Sequence, residues 1–281
     1  MGLRFTKMHG LGNDFMVIDR REQYVDFDAA QIQEWSDRHR GIGFDQLLIL
    51  DQTTLKGVDF RYRIFNADGS EVEHCGNGAR CVARFAHRAS GNTQNNFQCE
   101  TARGVLRLEV QSNLDVVVQM GVPTFEPSEI PLSREQSLLE YSLDIASNAP
   151  QSHVVRFGAL AIGNPHAVLT VSDVASAPVA ELGPVIERHP DFPNRVNVGF
   201  AEKVSANHIR LRVFERGAGE TEACGTGACA AAVIGLARGE LHNPVTVSLP
   251  GGDLQIQWAG VGEQVIMAGP AAFVYDGEIS N

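Results

Sequence analysis

The sequence predicts an α+β fold of two pseudo-symmetric halves, each a mostly antiparallel, curled β-sheet around one central helix. Three observations lead to this prediction: a long motif that occurs twice, many short strand patterns, and a helix pattern after each copy of the motif. At 281 residues, of which 43% are hydrophobic, the chain is long enough for one large domain or two smaller ones with a sizeable core.

The duplicated motif occupies residues 64–79 and 213–228. Within it one Phe, two Glu, one Cys, two Gly and one Ala recur at an offset of 149 residues. Shorter motifs on either side recur in the same order at offsets of 151 and 148, namely Gly12-Asn13 with Gly163-Asn164 and Gly104 with Gly252. Chance similarity between two Gly-rich turns is the alternative. It does not explain the shared order, so the sequence favours two homologous halves.

A proline-rich segment separates the halves. Pro123, Pro127 and Pro131 lie among polar and charged residues, as is typical of a linker. We therefore predict an N-terminal half at residues 1–122 and a C-terminal half at residues 123–270. The tail, residues 271–281, begins with a strand pattern and is expected to pack back on the N-terminal half.

Short runs of β-branched and aromatic residues bounded by Gly, Asp or Asn predict the strands. They are residues 16–18, 47–50, 60–65, 105–110 and 116–120 in the first half, and 167–171, 209–214, 245–249 and 265–267 in the second. Each Cys-Gly-x-Gly turn is expected to open a helix, at residues 79–88 and 228–238. The second helix is apolar almost all round, which predicts that it is buried. Strands without regular intervening helices argue against a doubly wound parallel sheet.

Charge and composition exclude several classes of function. A net charge of −11 does not fit a nucleic-acid binder or a protein bound to anionic membranes. The longest apolar stretch, residues 228–237, is too short to cross a bilayer. Five cysteines, an odd number, and no secretory signal pattern favour a reduced, cytoplasmic protein. The cysteine spacings do not fit a zinc site, and no dinucleotide-binding, Walker A or G-x-S-x-G motif occurs.

Cys75 and Cys224 each stand just before Gly-x-Gly and a predicted helix. A helix N-terminus carries unpaired N–H groups and positive potential, which lower the pKa of a cysteine and bind carboxylates. One sulfur on each face of the carbon next to a bound carboxylate would take a proton from one side and return one from the other, which inverts the stereocentre. Glu73 and Glu222 would oppose thiolate formation if they pointed inward. The alternative is that both cysteines are buried core thiols.

Six motifs together resemble the diaminopimelate epimerase family over residues 7–275. They are His9-Gly10-Leu11-Gly12-Asn13-Asp14-Phe15, Asn66-Ala67-Asp68-Gly69-Ser70, Cys75-Gly76-Asn77-Gly78-Ala79-Arg80-Cys81, Gly163-Asn164-Pro165-His166, Glu215-Arg216-Gly217 and Ala223-Cys224-Gly225-Thr226-Gly227. The resemblance implies interconversion of LL- and meso-2,6-diaminopimelate in a cleft between the halves, for lysine and cell-wall precursor synthesis. It also implies a cytoplasmic homodimer that uses no pyridoxal phosphate, no other cofactor and no metal.

The resemblance implies roles for individual residues as well. Cys75 and Cys224 would be the paired acid and base, and His166 and Glu215 would assist at the catalytic centre. The substrate-binding positions would be Asn13, Gln46, Asn66, Gly76, Asn77, Asn164, Asn197, Glu215, Arg216, Gly225 and Thr226. Tyr275 falls where a dimer contact is expected.

The residues themselves leave alternatives open. Asn is common in turns, Glu215 and Arg216 could be solvated surface charges, and His166 could be a plain loop residue. Three other functions also fit: a proline or hydroxyproline racemase, a redox sensor that joins Cys75 to Cys224, and a protein that binds an amino acid without catalysis. Arg216 suits the distal carboxylate of a longer substrate, which argues against proline.

Overall fold

The computed structural model describes residues 2–72, 76–102, 104–145 and 153–280. In chain order the elements are β1 (Leu3–Gly10), β2 (Asn13–Asp19), α1 (Ala29–Ser36), β3 (Gln46–Asp51), β4 (Phe60–Asn66), β5 (Glu71–Val72), α2 (Gly76–Ala89), β6 (Asn96–Thr101), β7 (Gly104–Val110), β8 (Val116–Gly121), β9 (Tyr141–Ile145), β10 (His153–Ala161), β11 (Pro165–Val171), α3 (Val179–Glu187), β12 (Asn197–Ser205), β13 (His208–Glu215), β14 (Gly219–Thr221), α4 (Gly225–Ala237), β15 (Val245–Leu249), β16 (Gly252–Trp258), β17 (Val265–Gly269) and β18 (Ala272–Ile279). Contacts divide the chain into two compact units, Met1–Gln119 with Ala268–Asn281, and Met120–Met267.

The two units have the same pattern of strand pairing. In the first, β1 pairs antiparallel with β18 and β2, β2 runs parallel to β3, and β4 pairs antiparallel with β3 and β5 but parallel with β6. In the second, β10 pairs antiparallel with β9 and β11, β11 runs parallel to β12, and β13 pairs antiparallel with β12 and β14 but parallel with β15. Most pairs in each unit are therefore antiparallel.

The strand registers agree as well. Phe15 pairs with Gln46 in the first unit, and His166 pairs with Asn197 in the second. Both residues of the second pair lie 151 positions after their counterparts, which is the offset seen in the sequence. The repeated motif thus marks a duplication of the whole sheet. The predicted α+β fold with two pseudo-symmetric halves is confirmed.

Each unit packs its sheet against one long helix. Helix α2 contacts β1, β2, β3 and β7, and α4 contacts β10 to β13, β15 and β16. Helix α4 is buried along almost its whole length, as its uniformly apolar sequence predicts. Both helices begin three residues earlier than predicted, at the glycine after the motif cysteine. No helix in the described ranges is long and apolar enough to cross a bilayer.

Two short helices, α1 and α3, are not predicted from the sequence. Helix α1 has a single buried residue, Ile32, and begins with a capping box between Asp28 and Gln31, so its apolar signal is weak. Helix α3 contains Pro184, which disfavours a helix interior. Burial of its apolar residues against the second unit stabilises α3 in spite of that proline.

Candidate active site

The second unit places Cys224 at the buried start of α4. Cys224 is the N-cap residue, with an extended backbone (φ −118°, ψ 105°), and only 4% of its surface is exposed. Its Sγ lies 3.6 Å from Thr226 Oγ1. Packing around this turn favours glycine at position 227, because a Cβ there would lie 3.1 Å from Val213 Cγ2 and 3.2 Å from the Cys224 sulfur.

Burial raises the pKa of the Cys224 thiol well above its ordinary value, and the charge of Glu215 raises it further. Hydrogen bonds from Thr226 and from the Gly227 N–H lower it, but burial outweighs them. Cys224 is therefore a thiol at neutral pH. The N–H of Gly227 at the start of the helix lowers this pKa, as expected, but the loss of hydration has the larger effect. Glu222 is exposed, so the carboxylate that opposes ionisation is Glu215.

Cys75 and Glu73 lie outside the described residues. Helix α2 begins at Gly76, and both Gly76 and Asn77 are buried. Gly76 therefore opens the helix of the first unit as Gly225 opens that of the second.

A chain of hydrogen bonds orients Gln46 and Asn66 in the first unit. Ser70 Oγ donates to Asp68 Oδ1 at 2.6 Å, and Asn66 Nδ2 donates to Ser70 Oγ at 3.2 Å. Asn66 Oδ1 in turn accepts from Gln46 Nε2 at 3.0 Å. In this set of hydrogen bonds Gln46 Oε1 is left buried, with no hydrogen-bond partner among the described residues. Since an unpaired buried acceptor is costly, Gln46 is well suited to receive an amine of a ligand.

The first unit also brings Asn13 and Asn77 together. Asn13 follows a two-residue turn in which Leu11 and Gly12 both have left-handed backbones, with φ of 57° and 90°. This turn carries the chain from β1 to β2 and sets Asn13 near the start of α2. The Asn77 side chain donates its Nδ2 to Asn13 Oδ1 at 3.3 Å.

In the second unit, Asn164, His166 and Asn197 lie close together. His166 is 1% exposed, and its Nε2 is 2.9 Å from Asn164 Oδ1. Asn197 donates its Nδ2 to the Pro165 carbonyl at 3.0 Å and accepts the Arg216 backbone N–H at 2.9 Å. Both ends of this amide bind backbone groups, so Asn197 also holds the turn that carries Arg216.

The Glu215–Gly217 turn is held from two further sides. Thr221 Oγ1 donates to Glu215 Oε1 at 2.6 Å, and the Gly217 N–H donates to Glu187 Oε1 at 2.9 Å. Arg216 is exposed, with Nη1 3.1 Å from the Asn194 carbonyl. Sequence analysis missed Glu187, which is 1% exposed; an acidic residue ending an apolar stretch is the signal that points to it. Within the described ranges, no three His, Cys, Asp or Glu side chains are grouped to hold a metal ion.

His166 is expected to make folding stability sensitive to acid. Burial, with a smaller effect from Arg216, lowers its pKa from 6.5 to about 3. Between these values the unfolded chain binds a proton that the folded chain does not, so stability falls as the pH drops from 6.5 towards 3, by up to roughly 5 kcal/mol. His166→Gln removes this titration. Urea unfolding at pH 7 and pH 4 should show a smaller loss for the variant, and equal losses would contradict the assignment.

Two solved structures of low sequence identity to this chain share its fold. A hydroxyproline epimerase from Agrobacterium vitis has a TM-score of 0.65 at 16% identity, and the match covers 99% of this chain and 92% of that one. A PhzF-family phenazine biosynthesis protein from Bacillus anthracis has a TM-score of 0.67 at 16% identity over the whole of both chains. These matches show the fold. The relatives described next place the chain in the isomerase class of enzymes.

Sequence comparison defines the family. The family model described as diaminopimelate epimerase matches residues 5–126 and 158–274. Proteins named diaminopimelate epimerase from Ectopseudomonas mendocina (strain ymp) and Azotobacter vinelandii are 54% and 55% identical to this chain over 279 residues, which cover 99% of each protein. The chain belongs to the diaminopimelate epimerase family.

Proposed function

We propose that the protein interconverts LL- and meso-2,6-diaminopimelate by a 1,1-proton transfer between two cysteines, without a cofactor. The observation that carries the proposal is the burial of Cys224 at the start of α4, where its raised pKa keeps it a thiol. A thiol that already carries its proton is the acid of such a pair. Cys75 is then the thiolate that acts as the base.

The proton balance follows from these two states. The Cys75 thiolate takes the α-proton from one face of the substrate carbon, and the Cys224 thiol gives its proton to the opposite face. Cys75 ends as the thiol and Cys224 as the thiolate, so the roles are exchanged for the other stereoisomer. The carbanionic charge delocalises into the α-carboxylate, which the N–H groups of Gly76 and Asn77 and of Gly225 and Thr226 stabilise.

The remaining site residues match the other groups of diaminopimelate. Arg216 is exposed and offers a planar, two-pronged donor to the distal carboxylate. The unpaired Gln46 Oε1 accepts from an amine, and Asn13, Asn66 and Asn164 supply neutral amides. His166, which is neutral, and the carboxylate of Glu215 orient the groups around Cys224. This pattern of one cation and several amides favours diaminopimelate over proline.

Tyr275 lies where a second copy of the chain could bind. Tyr275, 45% exposed on β18, packs edge-on against Phe5 with ring centroids 5.9 Å apart. An exposed, rigidly held aromatic ring is typical of a contact between subunits, and we assign it to a homodimer. The product serves lysine and cell-wall precursor synthesis, which takes place in the cytoplasm.

A proton-exchange assay tests the function. Under reducing conditions in deuterated buffer, LL- and meso-diaminopimelate should each gain one α-deuterium and interconvert, as followed by NMR and chiral chromatography. Binding without exchange would indicate an amino-acid-binding protein, and faster exchange of proline would indicate a proline racemase. Either result would overturn the proposal. Activity that appears only after reduction would indicate that a Cys75–Cys224 disulfide inactivates the same enzyme.

A further inference from the structure

Four hydrogen-bonded side chains run from Asp45 to Arg80 in the first unit. Asn13 Nδ2 donates to Asp45 Oδ2 at 2.9 Å. Asn77 Nδ2 donates to Asn13 Oδ1 at 3.3 Å, and Arg80 Nη2 donates to Asn77 Oδ1 at 3.0 Å. The two central members are the asparagines to which the proposed function gives contact with the substrate.

The ends of this chain determine the direction of every hydrogen bond in it. A carboxylate only accepts hydrogen bonds and a guanidinium only donates them, whereas an amide does both. An asparagine amide therefore has two orientations, related by a flip, that differ in which atom faces a given neighbour. Asp45 requires the amino group of Asn13, and Arg80 requires the carbonyl oxygen of Asn77. Both amides are thus held in one orientation.

Asp45 is fixed by a charged network of its own. Arg38 Nη2 donates to Asp45 Oδ1 at 2.7 Å, and the Asp14 backbone N–H donates to Asp45 Oδ2 at 3.1 Å. Arg38 also forms two hydrogen bonds with the Asp14 carboxylate, at 2.9 and 2.8 Å. The carboxylate that meets Asn13 is therefore held in place although half of its side chain faces solvent.

Arg80 is fixed by burial. It is 0% exposed and donates its Nε to the Pro270 carbonyl at 3.1 Å. It lies three residues after Asn77 on α2, on the same face of the helix. Gly10 leaves room for it, since a Cβ at that position would lie 3.2 Å from Arg80 Nη2.

The second unit repeats Asn13, as Asn164 at the offset of 151, but not the other three residues. The positions equivalent to Asn77 and Arg80 are Thr226 and Cys229, at the offset of 149, and Val196 is equivalent to Asp45 at the offset of 151. The amide chain therefore belongs to one half of a duplicated fold. Since a structural need of the shared fold would apply to both halves, the difference points to a role in recognising a ligand on the Asn77 side.

We propose that Asp45 and Arg80 are positioning residues, which hold the Asn13 amide, directly and through the Asn77 side chain, in the orientation that binds the substrate. This inference rests on the proposed function. It explains why a buried arginine and a surface carboxylate are joined through two residues of the site. Neither Asp45 nor Arg80 takes part in proton transfer.

Asp45→Asn is the direct test. An asparagine at 45 offers one acceptor and one amino group, so either Arg38 or Asn13 meets a donor where it needs an acceptor. We expect KM for diaminopimelate to rise roughly tenfold while kcat changes less than about twofold, because the lost contacts stabilise bound substrate and transition state alike. The matched control is Asp37→Asn in the same loop, where Asp37 accepts the His39 and Arg40 N–H groups at 2.8 and 2.9 Å.

The outcomes separate the possibilities. A KM equal to that of Asp37→Asn would overturn the inference. So would a lower kcat at unchanged KM, because that is the signature of a smaller folded fraction and hence of a structural role. If the unaltered enzyme exchanges no α-proton of diaminopimelate, the proposed function fails. If the enzyme is active but Asp45→Asn leaves KM unchanged, only the inference about position 45 fails.

Arg80 provides an independent check. Arg80→Met removes the donor and is expected to raise KM, whereas Arg80→Lys keeps a donor-only cation and should restore part of the affinity. If both ends act on one chain, the effects of Asp45→Asn and Arg80→Met on KM should be less than multiplicative in the double variant. Fully multiplicative effects would show two unrelated residues and would contradict the proposal. Should Arg80→Met not fold, the comparison of Asp45→Asn with Asp37→Asn decides alone.

Discussion

Cys224→Ser is expected to lower kcat for the epimerisation of diaminopimelate by about 10²–10⁴-fold, the range contributed by a general acid or base. A serine hydroxyl is a much weaker acid than a thiol and cannot deliver a proton to carbon at a useful rate. The fold should survive, because serine is a preferred N-cap residue and can keep the contact with Thr226. Steady-state kinetics and the unfolding midpoint of the variant, measured together, separate lost chemistry from lost structure.

The control for this variant is Cys229→Ala. Cys229 is fully buried in the same helix, so it reports on the loss of a thiol from α4 without loss of the proposed acid. Its kcat should stay close to that of the unaltered enzyme. In Cys224→Ser, residual deuterium uptake should be confined to the stereoisomer whose α-proton faces Cys75. Full epimerase activity in Cys224→Ser would rule out the two-cysteine mechanism.

The fold was largely predictable because duplication left a repeated pattern in the chain. Two Cys-Gly-x-Gly turns at an offset of 149 indicate two similar units, and strand patterns without regular intervening helices argue against a doubly wound parallel sheet. Helix α1 was not predictable in this way. Only Ile32 of its residues is buried, so little periodicity records its contact with the sheet.

The site was predictable as a set of residues but not as a set of interactions. The pKa of Cys224 depends on burial by the rest of the unit and on Glu215, which no local pattern around the cysteine reveals. The link from Asp45 to Arg80 joins residues 35 positions apart through two amides. Such links depend on the turn and helix that bring distant segments together, and they become visible only in the folded chain.

Gly78→Ala is expected to destabilise the first unit by overpacking the core beside the start of α2. A Cβ at this position would overlap the Tyr62 hydroxyl and lie 3.1 Å from Leu48 Cδ2. Alanine normally stabilises a helix interior by roughly 0.5–1 kcal/mol relative to glycine, but overpacking a dense core costs about 1–3 kcal/mol. Because overpacking is the larger effect, we expect a net loss of about 1–2 kcal/mol in urea unfolding. Displacement of the start of α2 should also lower kcat/KM.

The Tyr62→Phe variant separates the cost of overpacking from the gain in helix stability that alanine provides. Removing the hydroxyl takes away the main steric obstacle, so adding Gly78→Ala to Tyr62→Phe should cost less than adding it to the unaltered chain, or should even stabilise it. The difference between the two costs is the interaction energy of the double-mutant cycle. Equal costs in both backgrounds would mean that contact with Tyr62 is not what keeps alanine out. Gly78 would then be required for the conformation of the helix start itself, next to Asn77.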